Sequence, residues 1–144
     1  DADPADDRHG TFFQMLPTVR RYSQSATYSL MNLNDVFVQA SVRPTRALSL
    51  RVDAHRLALA EAADRWYFGS GATQKAGTNF GYGTRPSHGA RALGTVVEAS
   101  ADYTMTRYWS VNGYVGFIKG GTVVRRSFAG GRLTFAYVES VFQF

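Results

Sequence analysis

Four side chains capable of chemistry recur at every second position of one stretch: Ser49, Arg51, Asp53 and His55. A serine, an aspartate and a histidine together raise nucleophilic catalysis, in which an imidazole takes the hydroxyl proton. The spacing argues against it, because on a strand Ser49 and His55 stand roughly 20 Å apart. A hydrolase would need its serine from another strand. The same positions suit recognition of an anion better. Arg51 carries a planar guanidinium that meets a carboxylate at two points. Arg43 and His55 add positive groups that contact a solute in this reading, with Asp53 and Glu139 as their orienting partners. The bland alternative is that these groups only satisfy one another and fill an interior.

Charge supports an anionic partner. The chain of 144 residues has sixteen basic and eleven acidic side chains, a formal balance of +5. All but Lys75 and Lys119 of the bases are Arg, and residues 1–7 hold four Asp, so the remainder is more basic still. The Arg are spread along strands and loops rather than gathered in one cluster, which speaks against nucleic acid and for an anionic saccharide, a small anion or anionic lipid. The four Asp invite calcium, but their spacing lacks the Gly and Glu of a calcium loop and reads as a solvated acidic segment. There is no Cys, hence no disulfide and no thiolate metal site. Gly-Ser-Gly-Ala at 69–72 and Gly-Tyr-Gly at 81–83 complete no phosphate-binding fingerprint. No cofactor is expected.

The elements that must position these residues are strands. From Asn34 to Arg43, Val36, Val38, Ala40 and Val42 alternate with Asp35, Phe37, Gln39, Ser41 and Arg43. Pro44-Thr45-Arg46 turns the chain. From Ala47 to about Ala60, Leu48, Leu50, Val52 and Ala54 oppose the four residues named first, and Arg56 interrupts the apolar set where a long side chain can snorkel to a membrane interface. Leu93, Thr95, Val97, Ala99, Ala101, Tyr103 and Met105 alternate with Gly94, Val96, Glu98, Ser100, Asp102 and Thr104. After a turn at Thr106-Arg107, Trp109, Val111, Val115 and Phe117 oppose Tyr108, Ser110, Asn112, Tyr114 and Gly116. The last stretch, 132–144, has Thr134, Ala136, Val138, Phe142 and Phe144 on one parity and Tyr137, Glu139 and Gln143 on the other.

Short and long connections alternate. The organisation expected is a loop over 1–33, a hairpin over 34–60, a long Gly-rich loop over 61–89, a hairpin over 90–118, a loop over 119–131 with Arg125 and Arg126 at an outer mouth, and a closing strand over 132–144. A structureless connection as long as 61–89 is unusual in a compact soluble domain and ordinary outside a membrane barrel. Tyr103, Tyr108, Trp109, Trp66, Phe142 and Phe144 gather near strand ends, as interfacial girdles do. No run is long and apolar enough for a membrane helix. The fold expected is all-β: an antiparallel transmembrane β-barrel of outer-membrane type. A terminal Phe after alternating apolar residues resembles the assembly signal of such barrels.

Parity then fixes sides. With the end in the periplasm, Asp35, Gln39, Arg43, Arg51, Asp53, His55, Glu98, Ser100, Asp102, Asn112, Tyr114 and Glu139 face the lumen. Five strands leave two edges that lipid does not tolerate, so these are expected to be about five C-terminal strands of a larger barrel. The remaining strands come from the same precursor or from another chain. Asp1 opens a polar segment with no apolar core, so a leader is either already removed or the chain begins within a longer precursor.

An ordered set of short motifs resembles the outer-membrane alginate-export barrels over nearly the whole chain, from about Gly10 to Phe144. It comprises His9-Gly10-Thr11-Phe12, Leu16-Pro17-Thr18, Arg21-Tyr22 and Met31-Asn32 with Asp35. It continues in Arg51-Val52-Asp53-Ala54-His55-Arg56-Leu57, Asp64-Arg65-Trp66-Tyr67, Phe128-Ala129-Gly130 and Tyr137-Val138-Glu139. The resemblance implies a large single-chain barrel in the outer membrane of a Gram-negative bacterium, of which this is the final third or quarter. It implies a pore with an Arg-rich constriction that passes an acidic polysaccharide outward. A non-conducting structural barrel within a larger assembly is the alternative, and a soluble ligand-binding barrel, separable by detergent dependence, is a third. Outer-membrane lipid and lipopolysaccharide are expected neighbours, with Arg125 and Arg126 as candidate contacts.

Overall fold

The computed structural model describes residues 10–12, 29–67 and 84–144. The acidic segment 1–9, the Leu16-Pro17-Thr18 and Arg21-Tyr22 motifs, and the Gly-rich runs at 69–72 and 81–83 lie outside the described residues.

Five long strands form one antiparallel sheet in the order β1-β2-β5-β6-β7. They are β1 (Leu33–Val42), β2 (Leu48–Leu59), β5 (Ala92–Thr106), β6 (Trp109–Gly120) and β7 (Arg132–Phe142). Short β3 (Trp66–Tyr67) and β4 (Thr84–Arg85) pair inside the long connection, and a six-residue helix, α1 (Thr122–Ser127), sits between β6 and β7. Among the described residues β1 and β7 each have one sheet neighbour, so the sheet is an open wall, not a closed barrel.

Pairing follows the alternation. β-Branched and aromatic residues at every second position suit a pleated surface. Register carries one face across all strands: Ser41 opposes Arg51, Arg51 opposes Ser100, Ser100 opposes Tyr114, and Tyr114 opposes Tyr137. The other face runs from Ala40 through Val52, Ala99 and Val115 to Ala136. That face is apolar and exposed, with Val36 73 % and Val138 78 % accessible. An apolar surface of such extent requires a covering partner, which for a barrel is lipid.

One end has tight turns. Pro44 has no N–H to donate and restrains the residue before it, so pairing stops at Val42–Leu50 and Arg43 stands in the exposed turn rather than on the strand. The Thr45 hydroxyl accepts from the Ala47 and Leu48 N–H groups at 3.3 and 3.1 Å. At the second turn the Thr106 hydroxyl accepts from the Tyr108 N–H at 3.2 Å. Tyr103 and Tyr108 are exposed here, and Trp109 stacks on Phe142 at 5.4 Å between centroids.

The opposite end departs from simple alternation. A register shift sets Leu57 opposite Gly94 but Ala58 opposite Ala92. Such a bulge moves the residues beyond it to the other face. Leu93 is therefore not on the lipid side with Thr95, as alternation predicts. It is buried with Leu57, Leu59, Val96 and Val123 on the inner side. Gly94 has φ of 151°, and a Cβ there would collide with the Lys119 carbonyl oxygen. The 119–131 segment likewise holds a helix where the sequence reading has loop. A helix this short does not form alone; burial of Val123, about 1.5–3 kcal/mol, anchors it to the sheet.

Candidate functional site

The inner face carries a connected row of charged and aromatic groups. Asp53 and His55 project inward from β2, Asp35 and Phe37 from β1, Glu98 from β5 and Tyr114 from β6, because period-two alternation and register align them. The Arg51 Nε donates to Asp53 Oδ2 at 2.6 Å. His55 Nδ1 lies 2.9 Å from Asp35 Oδ2, and its Nε2 lies 3.7 Å from Glu98 Oε1. The Tyr114 hydroxyl donates to Glu98 Oε2 at 2.6 Å. Phe37 stacks on the His55 ring with centroids 5.2 Å apart. Gly116 is required beside this link, since a Cβ there would strike the Tyr114 hydroxyl.

Asp53, His55 and Glu98 are each at most 3 % exposed. Buried charges are tolerated only when paired and hydrogen-bonded. The row meets that condition in part, by alternating acid, imidazole and acid, closed by a phenol: His55 Nε2 faces Glu98 beyond hydrogen-bond reach at 3.7 Å, and among the described residues Asp53 Oδ1 accepts no hydrogen bond. Tyr114 in turn stacks on Tyr137 of β7 at 4.9 Å. Nearer the tight turns Asn112 donates to Asp102 Oδ1 at 2.7 Å, and Glu139 opposes Asn112 across β6 and β7. Arg51, Asp53, His55, Glu98, Asp102 and Glu139 thus share one face, while Arg43 lies beyond its end.

The same face turns apolar toward the long connections. Leu57, Leu59, Leu93 and Val96 pack with Val123 of α1, and Trp66 and Ile118 lean on them. Trp66 also meets Phe128 edge-on at 6.0 Å. Helix α1 and β3 therefore fold inward over the wall. Arg126 Nη1 donates to the His88 carbonyl at 2.9 Å, tying α1 to the neighbouring loop, and Arg125 reaches back to the Gly120 carbonyl at 3.5 Å.

Several short motifs turn out to build this end. Asn32, in the left-handed region at φ of 50°, donates to the Glu61 and Arg65 carbonyls and accepts from the Glu61 N–H, all within 3.0 Å. Asp64 accepts from the Thr11 hydroxyl, from the Arg65 N–H at 2.7 Å and from the Tyr67 hydroxyl at 2.9 Å. Burial acts against the Asp64 carboxylate, yet the hydrogen bonds it accepts hold its carboxyl below the usual range. Burial and the adjacent carboxylate push the Tyr67 phenol up to about 12.

Ser49 and His55 do not converge: Ser49 opposes Asp102, whereas His55 is engaged by Asp35. Sequence reasoning placed Asp35 and Tyr114 on this face without giving them a role. Only the strand register, which ties residues far apart in sequence, reveals them as the partners of His55 and Glu98. A family model described as alginate export matches residues 1–132. Neither the curated proteins nor the solved structures contain a match to this chain.

Proposed function

This chain belongs to the alginate-export family, and from that membership we propose that it forms part of the wall of an outer-membrane channel passing an acidic polysaccharide or another anionic solute. The segregation of the sheet's two faces carries this reading: an outer face that is apolar across the middle of the strands, and an ionic row inside. Further strands complete the wall at the β1 and β7 edges, since lipid does not tolerate open edges.

The described inner face contributes more acid than base, with Asp35, Asp53, Glu98, Asp102 and Glu139 against Arg51 and His55. In a narrow pore this makes it the repelling side of a transverse field. A polyanion is pressed toward a basic wall opposite and held weakly enough to move on. Arg51, already engaged by Asp53, is the cation of this wall within reach of a passing carboxylate. Arg125 and Arg126 place positive charge at the outer mouth, and Arg43 places it at the periplasmic end.

The test is single-channel conductance of the full-length polypeptide in planar bilayers. Open channels blocked by polyuronate, with the block altered in Arg51→Ala, are the expected result. Channels indifferent to polyuronate at every voltage would overturn the anionic-solute reading. One observation favours the second reading, a closed structural barrel: α1 and Trp66 pack an apolar cover on the inner face at the outer end. Full-length protein that inserts and conducts nothing would select it.

A further inference from the structure

On the lipid side, near the long connections, the strand register lines up a row of basic residues. Val36 opposes Arg56, Arg56 opposes Thr95, Thr95 opposes Lys119, and Lys119 opposes Arg132. All three cations are exposed. Like charges directly opposed across strands destabilise a sheet, and among the described residues no carboxylate pairs with Arg56, Lys119 or Arg132. Beside this row is an open hollow of about 430 Å³, lined by Arg56, Arg91, Lys119 and Arg125 among others and by no acidic side chain, although Arg91 itself pairs with Glu61 at 3.3 Å. Gly94 and Gly121 let the strands approach closely at its floor, where a Cβ on Gly121 would meet the Ala92 carbonyl.

Exposed cations set side by side at the edge of an apolar band and without a carboxylate partner are stabilised by an anion supplied from outside the chain. The level of the row identifies its source. It lies at the long-connection end of the strands, which in outer-membrane barrels is the outer leaflet. Roughly 13 Å below Arg56, by strand rise, Val52, Ala99, Ala101, Gly113 and Ala136 line a shallow apolar depression of about 710 Å³. We propose that Arg56, Lys119 and Arg132, with the adjoining hollow, form a binding site for the phosphate groups of the phosphorylated glycolipid of the outer leaflet, whose acyl chains descend over the depression. Guanidinium and ammonium groups bind phosphate by charge-assisted hydrogen bonds. The inference needs the family's outer-membrane setting but not conduction: a silent barrel that binds this lipid leaves it standing.

The test uses the full-length polypeptide in detergent, with bisphosphorylated lipid A as the probe and native mass spectrometry as the readout. Heat-dependent gel mobility establishes that each variant is folded. The triple variant Arg56→Gln, Lys119→Gln, Arg132→Gln is expected to bind lipid A roughly 100-fold more weakly, at the usual contribution of each basic residue near a membrane surface. Removing both phosphates from lipid A should weaken binding to the native protein to a similar degree, while Arg107→Gln at the opposite end should leave it unchanged. If the triple variant does not fold, Lys119→Gln alone carries the test, with a loss of roughly fivefold. Undiminished lipid A binding in the folded variant overturns the proposal. So does equal retention of dephosphorylated lipid A or of phosphatidylglycerol.

Discussion

The two faces of the five-stranded sheet are built from the same strands by opposite rules. On the outer face each side chain acts almost alone: Val97 and Phe117 stand half exposed, waiting for lipid. One residue along the chain the rule changes. Glu98 is 2 % exposed and joins Tyr114, His55 and through it Asp35, on three other strands. The difference teaches where each face gets its specificity. Across the middle of the strands the outer face needs only to be apolar and tolerates exchange among apolar residues. The inner face needs partners of fixed geometry, so any single loss leaves a buried charge without compensation.

That contrast can be broken most forcefully at adjacent positions of β5. Glu98→Ala should cost about 3–5 kcal/mol, as removal of one partner from a buried ionic group does. Val97→Ala beside it should cost well under half as much. Urea titration of the full-length protein in lipid vesicles measures both, and equal losses would mean the faces are not distinct. A smaller loss comes from charging the outer face. Val115→Arg, level with Ala99 and Ala136 in the register, should cost about 2–4 kcal/mol if it lies at the bilayer midplane. The same assay in vesicles checks it, and a neutral result would place water on that side.

The remaining predictions sharpen the contrast between the wall and the end that covers it. Asn32→Ala removes three hydrogen bonds to the 61–65 backbone and should cost about 1–3 kcal/mol, seen as faster amide exchange at Glu61 and as unchanged exchange in β6. The mildest effect is on pH. The Asp64 carboxyl is lowered in the folded state from its ordinary value of 3.8. Its contribution is thus fully present above that value and is lost as pH falls below it toward the folded-state value. Proteolysis of the 61–67 segment should accelerate over that acid window in the native protein, with Asp64→Asn flattening the dependence.

How far the sequence disclosed this follows from how local each signal is. Val36-Val38-Ala40-Val42 and Leu48-Leu50-Val52-Ala54 reveal both strands and faces, because alternation is a property of neighbouring residues. The alternation of tight turns with long connections is legible for the same reason. The bulge at Gly94 was not: it depends on close approach to Lys119 on another strand, and it reverses the side on which Leu93 lies. Helix α1 was hidden since its stability comes from Val123 entering a cluster built by β2 and β5. In the candidate site, the shared face of Arg51, Asp53, His55 and Glu98 could be counted out by parity. The pairing of His55 with Asp35, and of Glu98 with Tyr114, needed the register between strands.

The most direct test of the account is a spin-label scan along β6. Single cysteines are placed from Ser110 to Ile118, sparing Gly116 and Tyr114, in the full-length protein, labelled, and reconstituted into vesicles. Accessibility is then compared between oxygen, which partitions into lipid, and a water-soluble nickel chelate. The account predicts a strict period of two, with Val111, Gly113, Val115 and Phe117 favouring oxygen, and Ser110, Asn112 and Ile118 shielded from lipid. Equal access of the nickel chelate to both sets, or a pattern without that period, would contradict a wall with lipid on one side and a channel interior on the other.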